Sequence, residues 1–306
     1  MELLGKTNID FIGKRNISFV ISSIIAVLGI IGIIQIGRGA ANMGIDFSGG
    51  TAMQLKFTKH IPIAEIRSAL HKSGVAKVDL QEIKDGNKIL VKIDKNTSAA
   101  LGKSTDVVQN AFKKEFPDNA FTVESSTEIG PSIGDKLRKD TLIAVAISLL
   151  GIILYIAWRF DFKFGIGATV ATIHDCLAMF AAFYLLGKEI NLLFITAVLT
   201  IAGYSLTDTV VVFDRIRENM HKNLKGSLQN IFNMSINEVL SRTIVTSLTV
   251  FMAAASLFFF GGEVIHDFSF ALLVGVLVGT YSSVFVASPI VVLLENRAAA
   301  KQAPKN

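Results

Sequence analysis

The chain is poor in the residues that usually announce chemistry. It holds one cysteine, one tryptophan and five prolines among 306 residues. A single thiol, Cys176, excludes an internal disulfide framework and any cysteine-based metal site within one chain. Charged residues make up only 18%, against about a quarter in ordinary soluble domains. No nucleophile–base pair and no nucleotide loop is readable, so enzymatic bond chemistry is not expected. No metal ligand set or cofactor site is read either.

Apolar residues are abundant: 51% of the chain is hydrophobic and the mean hydropathy is +0.52. Those figures point to a membrane protein. The net charge of +5 would suit a nucleic-acid partner in a soluble protein. Here the excess of basic residues in short membrane loops explains it more simply.

Six segments are long enough to span a bilayer core, which takes about 20 helical residues. They run over Ile17–Gly37, Thr141–Trp158, Phe164–Leu186, Ile190–Phe213, Thr243–Phe260 and Phe268–Leu294. Lys14 and Arg15 precede the first, whose uncharged run exceeds a signal-peptide core. It reads as an uncleaved signal-anchor. With the N-terminus inside, thirteen Lys and Arg fall in inner segments, including Lys6, Lys225, Lys301 and Lys305, and only Lys188 in a short outer loop. Both termini are therefore expected in the cytoplasm.

Residues 38–140 form a domain between the first and second spans. Met53, Leu55 and Phe57 alternate with Gln54 and Lys56, a strand pattern. Pro62 opens a helix with Ile63, Ile66 and Leu70 on one face. Val75–Glu82 and Lys88–Ile93 read as strands around the turn Asp85-Gly86-Asn87. A helix over Ser98–Phe116 and a strand over Phe121–Glu128 follow. The order β-α-β-β-α-β is the split-βαβ, ferredoxin-like arrangement. The expected fold is a polytopic α-helical membrane protein with one α+β ferredoxin-like extracytoplasmic domain. Its parts are residues 1–37, the domain 38–140, a five-helix bundle 141–294 and a tail 295–306. Within the bundle, the inner loop 214–241 carries Ile231, Met234, Val239 and Leu240 at the spacing of an interfacial helix face.

Polar groups inside the spans carry the functional reading, because an ionisable one costs ~2.5–3.5 kcal/mol there and so tends to face the bundle interior. Thr200, Tyr204, Thr207, Asp208, Val211 and Arg215 share one face of the fourth span. Arg242, Thr246, Thr249, Ala253 and Ser256 share one face of the fifth. The third presents Asp175 among small residues with His174 beside it. The sixth has Gly275, Gly279, Ser283 and Ala287 at every fourth position, a close-packing stripe. Asp208, about 9 Å from Asp214 along the helix, is the natural partner of Arg242. Burial and a neighbouring guanidinium act oppositely on a carboxyl, so the pair suits reversible protonation.

The residues alone leave other readings open. An Asp–Arg pair is also a structural clasp, and His174 is equally a core histidine bonded to a backbone carbonyl. Asp214-Arg215 is also an interface anchor, and the threonine row of the fifth span can bond its own helix carbonyls. In GIDFSGGT, Gly49-Gly50 allows backbone angles closed to other residues, and Asp46 is placed to tie the turn.

GIDFSGGT, His174-Asp175, GYSLTDTVVVFDRIREN, LSRTIVTSLTV and FSFALLVGVLVGTYSSVFVASP together resemble the SecF family. These are membrane subunits of the bacterial SecD–SecF export accessory, similar to resistance-nodulation-division transporters. The resemblance covers nearly the whole chain. It implies SecD as partner, with SecYEG, YajC, a translocating unfolded polypeptide and membrane lipids, and no nucleic acid. It implies location in the bacterial cytoplasmic membrane, with protons as the coupling ion and no other cofactor. It carries a proton-relay role onto Asp208 and Arg242, and makes Asp214 and Arg215 part of the family signature. The family commonly has Asn where this chain has Thr207. An efflux transporter of the same superfamily is the second reading, disfavoured because this chain holds one half and one outer domain.

Overall fold

The computed structural model describes residues 5, 7–38, 42–75, 77–83, 87–222 and 226–302. The expected basic residues Lys6, Lys225 and Lys305, and Asp85 and Gly86 of the expected turn, lie outside the described residues. The chain divides into two compact units, Met43–Ile143 and the remainder.

In the smaller unit a one-turn helix α2 (Ile45–Ser48) follows the first long helix α1 (Arg15–Gly37) and leads into the strand β1 (Gly50–Phe57). Between them Gly49 takes φ 71° and Gly50 φ 124°, angles that side chains resist. A Cβ on Gly50 would also lie 2.2 Å from the Ile93 carbonyl oxygen. The glycine pair is thus required twice over, by conformation and by space. Gly134 packs against the same turn, where a Cβ would lie 3.0 Å from the Gly49 nitrogen.

The unit continues with α3 (Ile63–Lys72), β2 (Val78–Ile83), β3 (Lys88–Asp94), α4 (Lys95–Leu101), α5 (Ser104–Glu115) and β4 (Phe121–Ile129). The strand order is β2-β3-β1-β4, antiparallel throughout. This is the ferredoxin-like order expected from the element sequence. Met53, Leu55 and Phe57 of β1 are buried against Ile66 and Leu70 of α3 and Val108 and Phe112 of α5. The helix expected over Ser98–Phe116 is instead two, broken at Gly102 with φ 73°. A buried hydroxyl chain compensates the break. Thr51 Oγ1 lies 2.8 Å from Ser98 Oγ, which lies 2.9 Å from Ser104 Oγ, tying both helices to β1.

The larger unit is helical. With α1 it comprises α6 (Pro131–Arg159) from Ala144 onward, α7 (Phe162–Leu185), α8 (Leu192–Lys222), α9 (Leu228–Phe260) and a sixth long helix in three parts. Those parts are α10 (Glu263–Ser282), a π-helical turn (Ser283–Ala287) and α11 (Ser288–Gln302). Six helices are long and apolar enough to cross a membrane. The apolar windows of α7, α8 and the sixth helix are at least half buried, against 6% for α6. The three form the centre, and Leu150, Leu154 and Trp158 of α6 are left exposed. Missing side chains allow the close contacts. A Cβ on Gly29 of α1 would lie 2.2 Å from the Leu177 carbonyl of α7, and one on Gly275 of α10 2.5 Å from Ile201 of α8.

The connector over residues 214–241 differs from the expectation. Residues 214–241 are mostly helix, because α8 runs on to Lys222 and α9 begins at Leu228. Ser227 caps α9 by accepting the Asn230 amide. The buried face is Ile231, Phe232, Ser235 and Ile236, and Met234 points outward. The physical reason is a cover that periodicity cannot show. Residues 9–13 lie along α9, where the Asn237 amide both accepts from Ile9 N and donates to Ile9 O, each at 2.9 Å. Asn233 Oδ1 accepts from the Phe11 and Ile12 amides at 3.0 Å, and its Nδ2 donates to Asp10. Phe11 and Ile12 then enter a core with Phe160, Phe213 and Phe232.

Two outcomes test these features. Gly50→Ala should destabilise the sheet unit by more than the ~1–2 kcal/mol of an ordinary left-handed residue. Gly130→Ala, with nothing within 4 Å, should change little; chemical unfolding of both variants checks the ranking. The Gly13 amide, followed by Asn233, holds the Asp10 carboxyl below its ordinary 3.8. Its contribution to docking is therefore present above that value and lost as pH falls through the lowered one. Hydrogen exchange at the Phe11 and Ile12 amides, corrected for intrinsic rate, should accelerate only in that acid range, and Asp10→Asn should abolish the acid step.

Candidate functional site

Asp208 lies midway along α8 and is 6% exposed. Ser247 of α9 donates to its Oδ2 at 3.2 Å. Ser247 Oγ in turn accepts from Tyr204 Oη at 3.3 Å and from Thr280 Oγ1 of α10 at 2.7 Å. One donor and two acceptor positions are all a serine hydroxyl has, so Ser247 is saturated. The carboxylate is thereby linked to three helices through one hydroxyl.

A second carboxylate is deeper. Asp175 of α7 is fully buried. Its Oδ2 accepts from Ser205 of α8 at 2.5 Å and from Ser282 of α10 at 2.8 Å. Its Oδ1 lies 3.1 Å from His174 Nδ1. His174 is 5% exposed, and its Nε2 is sealed from solvent with no hydrogen-bond partner among the described residues. Leaving such a nitrogen unsatisfied costs roughly 1–3 kcal/mol.

The approach of α8 to α10 depends on Gly279, where a Cβ would lie 2.9 Å from Ser205 Cβ. The π-helical turn follows directly. There Ser283 Oγ meets Thr209 Oγ1 at 2.9 Å, and Ser288 Oγ donates to the Ser283 carbonyl at 3.0 Å. Pro289, lacking an N–H, cannot restore the regular ladder. Such turns recur at functional sites.

The structure brings Asp208 and Tyr204 together and places His174 against Asp175, but it redraws the expected polar faces. Arg242 forms no ion pair with Asp208. It is exposed, and its charge acts on Asp208 only through space. Thr246 and Thr249 are exposed and bond their own helix carbonyls, as does Thr207, which donates to Gly203 O. The inward face of α9 carries Thr243, Ser247 and Ala254, one residue or about 100° round from the expected one. Ser247, Thr280, Ser205 and Ser282 were not expected as site residues. The signal available was small hydroxyls on the buried sides of otherwise apolar helices.

Toward the connection between α8 and α9, the single nitrogen Nη2 of Arg159 lies 2.8 Å from Asp214 Oδ1 and 2.7 Å from Oδ2. Arg215 bonds Glu238 and Glu218, while Lys222 also reaches Glu218. These pairs anchor helices and lie apart from the buried carboxylates. Asp46 sits in the single turn α2, beside Gly49 and Gly50. Among the described residues no group of three His, Cys, Asp or Glu side chains converges as a metal site.

Six long apolar helices around two buried carboxylates define a multi-pass membrane protein of the transporter type. The model for the C-terminal region of the protein-export membrane proteins SecD/SecF matches residues 107–297, and the SecD/SecF GG motif matches residues 41–59. The chain belongs to the SecD/SecF family of protein-export membrane proteins. It is 54% identical over 296 residues to a protein translocase subunit SecF of Thermodesulfovibrio yellowstonii, covering 96% of this chain and 97% of that one. It is 39% identical over 299 residues to the SecF of Calditerrivibrio nitroreducens, covering 97% of each. A crystal structure of SecDF, a translocon-associated membrane protein from Thermus thermophilus, matches with TM-score 0.83 and 34% identity. That match covers 95% of this chain and 39% of the SecDF chain. A super-membrane-facing SecDF form matches with TM-score 0.70 and 33% identity, covering 98% of this chain and 40% of that one.

Gly279→Ala should force α8 and α10 apart and cost ~1–3 kcal/mol, as overpacking does. Gly151→Ala on α6, with nothing within 4 Å, is the matched control. Thermal unfolding in detergent should separate the two variants.

Proposed function

We propose that this chain is the SecF subunit of a protein translocase, pairing with SecD to draw on the proton-motive force in late export. The observation that carries the coupling is Asp208, a buried carboxylate whose charge is answered by a hydroxyl rather than an ion pair. Protonating Asp208 removes the anionic acceptor on Ser247. Ser247 is bonded to Thr280, so the change is felt at the α8–α9–α10 junction. One proton crossing 100 mV supplies about 2.3 kcal/mol, enough to shift such a junction.

The partner is supported by the outward polar face. Arg242, Thr207, Thr246 and Thr249 are exposed on helices otherwise suited to lipid, and a guanidinium in hydrocarbon is costly. SecD helices on this face would cover Arg242 and the threonines and bring the guanidinium under control of the complex. In this reading the chain sits in the bacterial cytoplasmic membrane with both termini inside and residues 38–140 outside. SecYEG, YajC and an emerging unfolded polypeptide are the remaining partners, with lipids around the bundle. The chain performs no bond chemistry, and protons are its only coupling ion.

Asp208→Asn tests this in membrane vesicles. The SecD complex should assemble, and export should fall to the level seen without a proton gradient. A normal response to the gradient in that variant would refute proton coupling at Asp208.

A further inference from the structure

Asp175 needs a counter-charge that the Asp208 reading does not provide. It is more buried than Asp208 and accepts from two helices besides its own. The groups facing it are His174 and Cys176 on α7, Ser205 on α8, and Ser282 and Tyr281 on α10. Asp208 lies one turn beyond Ser205 on α8. From α1, Ser18 and Ser22 reach only as far as the Tyr281 hydroxyl. No lysine or arginine pairs with Asp175 among the described residues. The imidazole of His174 is therefore the one group in contact that can carry a positive charge.

The geometry also orients that imidazole. A carboxylate oxygen at 3.1 Å makes Nδ1 the donor. The lone pair of the neutral ring is then on Nε2, the atom that is buried and without a partner. We propose that His174 and Asp175 form a second proton-binding site, loaded and emptied at His174 Nε2, whose occupancy is passed to the Asp208 network through α8 and α10. Loading adds one proton to Nε2 while the Nδ1 proton stays on its bond to Asp175, so the pair goes from net negative to neutral. The ligand is a proton rather than a metal ion. Both serines present protons, not lone pairs, to Oδ2, and no three-ligand cluster converges there.

Transmission follows from shared helices. Ser205 and Asp208 are three residues apart on α8, and Thr280 and Ser282 are two apart on α10. Asp175 holds Ser205 and Ser282, while Asp208 is held by Ser247, which is bonded to Thr280. A change in the pull of one carboxylate on α8 and α10 alters the geometry offered to the other. Proton binding at His174 stands on its own; only the transmission rests on the reading of Asp208.

The test uses the full chain in its SecD complex, labelled with ¹⁵N-histidine in lipid nanodiscs. His174 is assigned among the five histidines by the signals lost in His174→Gln. Its ring should pass from the Nδ1-protonated to the doubly protonated form as the pH is lowered. That transition should survive Asp208→Asn and be shifted or lost in Asp175→Asn. A ring that stays in one form throughout, or a transition unmoved by Asp175→Asn, would overturn the site. Ser282→Ala keeps both titrating groups and removes the hydroxyl that ties Asp175 to α10, and it should displace the pH profile of gradient-driven export. An intact site with an undisplaced profile would overturn the transmission and leave only local proton binding.

Discussion

A carboxylate inside a bundle of apolar helices must be answered by other helices, since neither water nor lipid will do so. In this chain the answer comes as hydroxyls. Ser205, Ser247 and Ser282 each extend from a neighbouring helix to an acid. A hydroxyl has a short reach, so backbones must come close. Close approach in turn demands the glycines that sit where a Cβ would collide, Gly279 against Ser205 and Gly275 against Ile201. The π-helical turn belongs to the same constraint. It follows Ser282 directly, and its first residue, Ser283, bonds Thr209. Acids, hydroxyls, glycines and the irregular turn form one arrangement in which each part requires the others.

This makes the arrangement responsive as well as stable. An arginine in contact would hold a carboxylate in one state; a serine donates strongly to the anion and more weakly to the neutral acid. Arg242 stays on the outer face, acting on Asp208 at a distance. The helices are therefore bound by interactions that depend on protonation without being locked by permanent ion pairs. The ion pairs of Asp214 with Arg159 and Arg215 with Glu238 are partly exposed and lie toward the connection between α8 and α9.

Much of this is legible in the primary structure. Long apolar runs mark the spans, and the alternation at Met53, Leu55 and Phe57 with the order of elements marks the ferredoxin-like sheet. Asp208 stands out because a charge inside such a run is expensive. The rotation of α9 is less legible. Threonines at 246 and 249 and serine at 247 are equally polar by composition, and only packing decides that Ser247 turns inward. Gly102 interrupts a good helical pattern because its positive φ suits the buried chain from Thr51 to Ser104, a tertiary matter. The last turns of α8 and the first turns of α9 look like a loop because their polar residues mask helices that run past the apolar stretch. The cover that explains their buried face comes from the N-terminal segment, far away in sequence.

That cover has a consequence for biosynthesis. Phe11 and Ile12 are made before the side chain that fixes them, Asn233, which lies 222 and 221 residues later. Until α9 has been synthesised, these two apolar residues have no Asn233 and no Phe232 to receive them. The amide clamp on α9 therefore closes only after α9 is made, between two segments more than 200 residues apart in sequence. It can form only if α1 and α9 place these ends on the same side of the membrane. A chain inserted with one span inverted would leave the clamp open and Phe11 without its core.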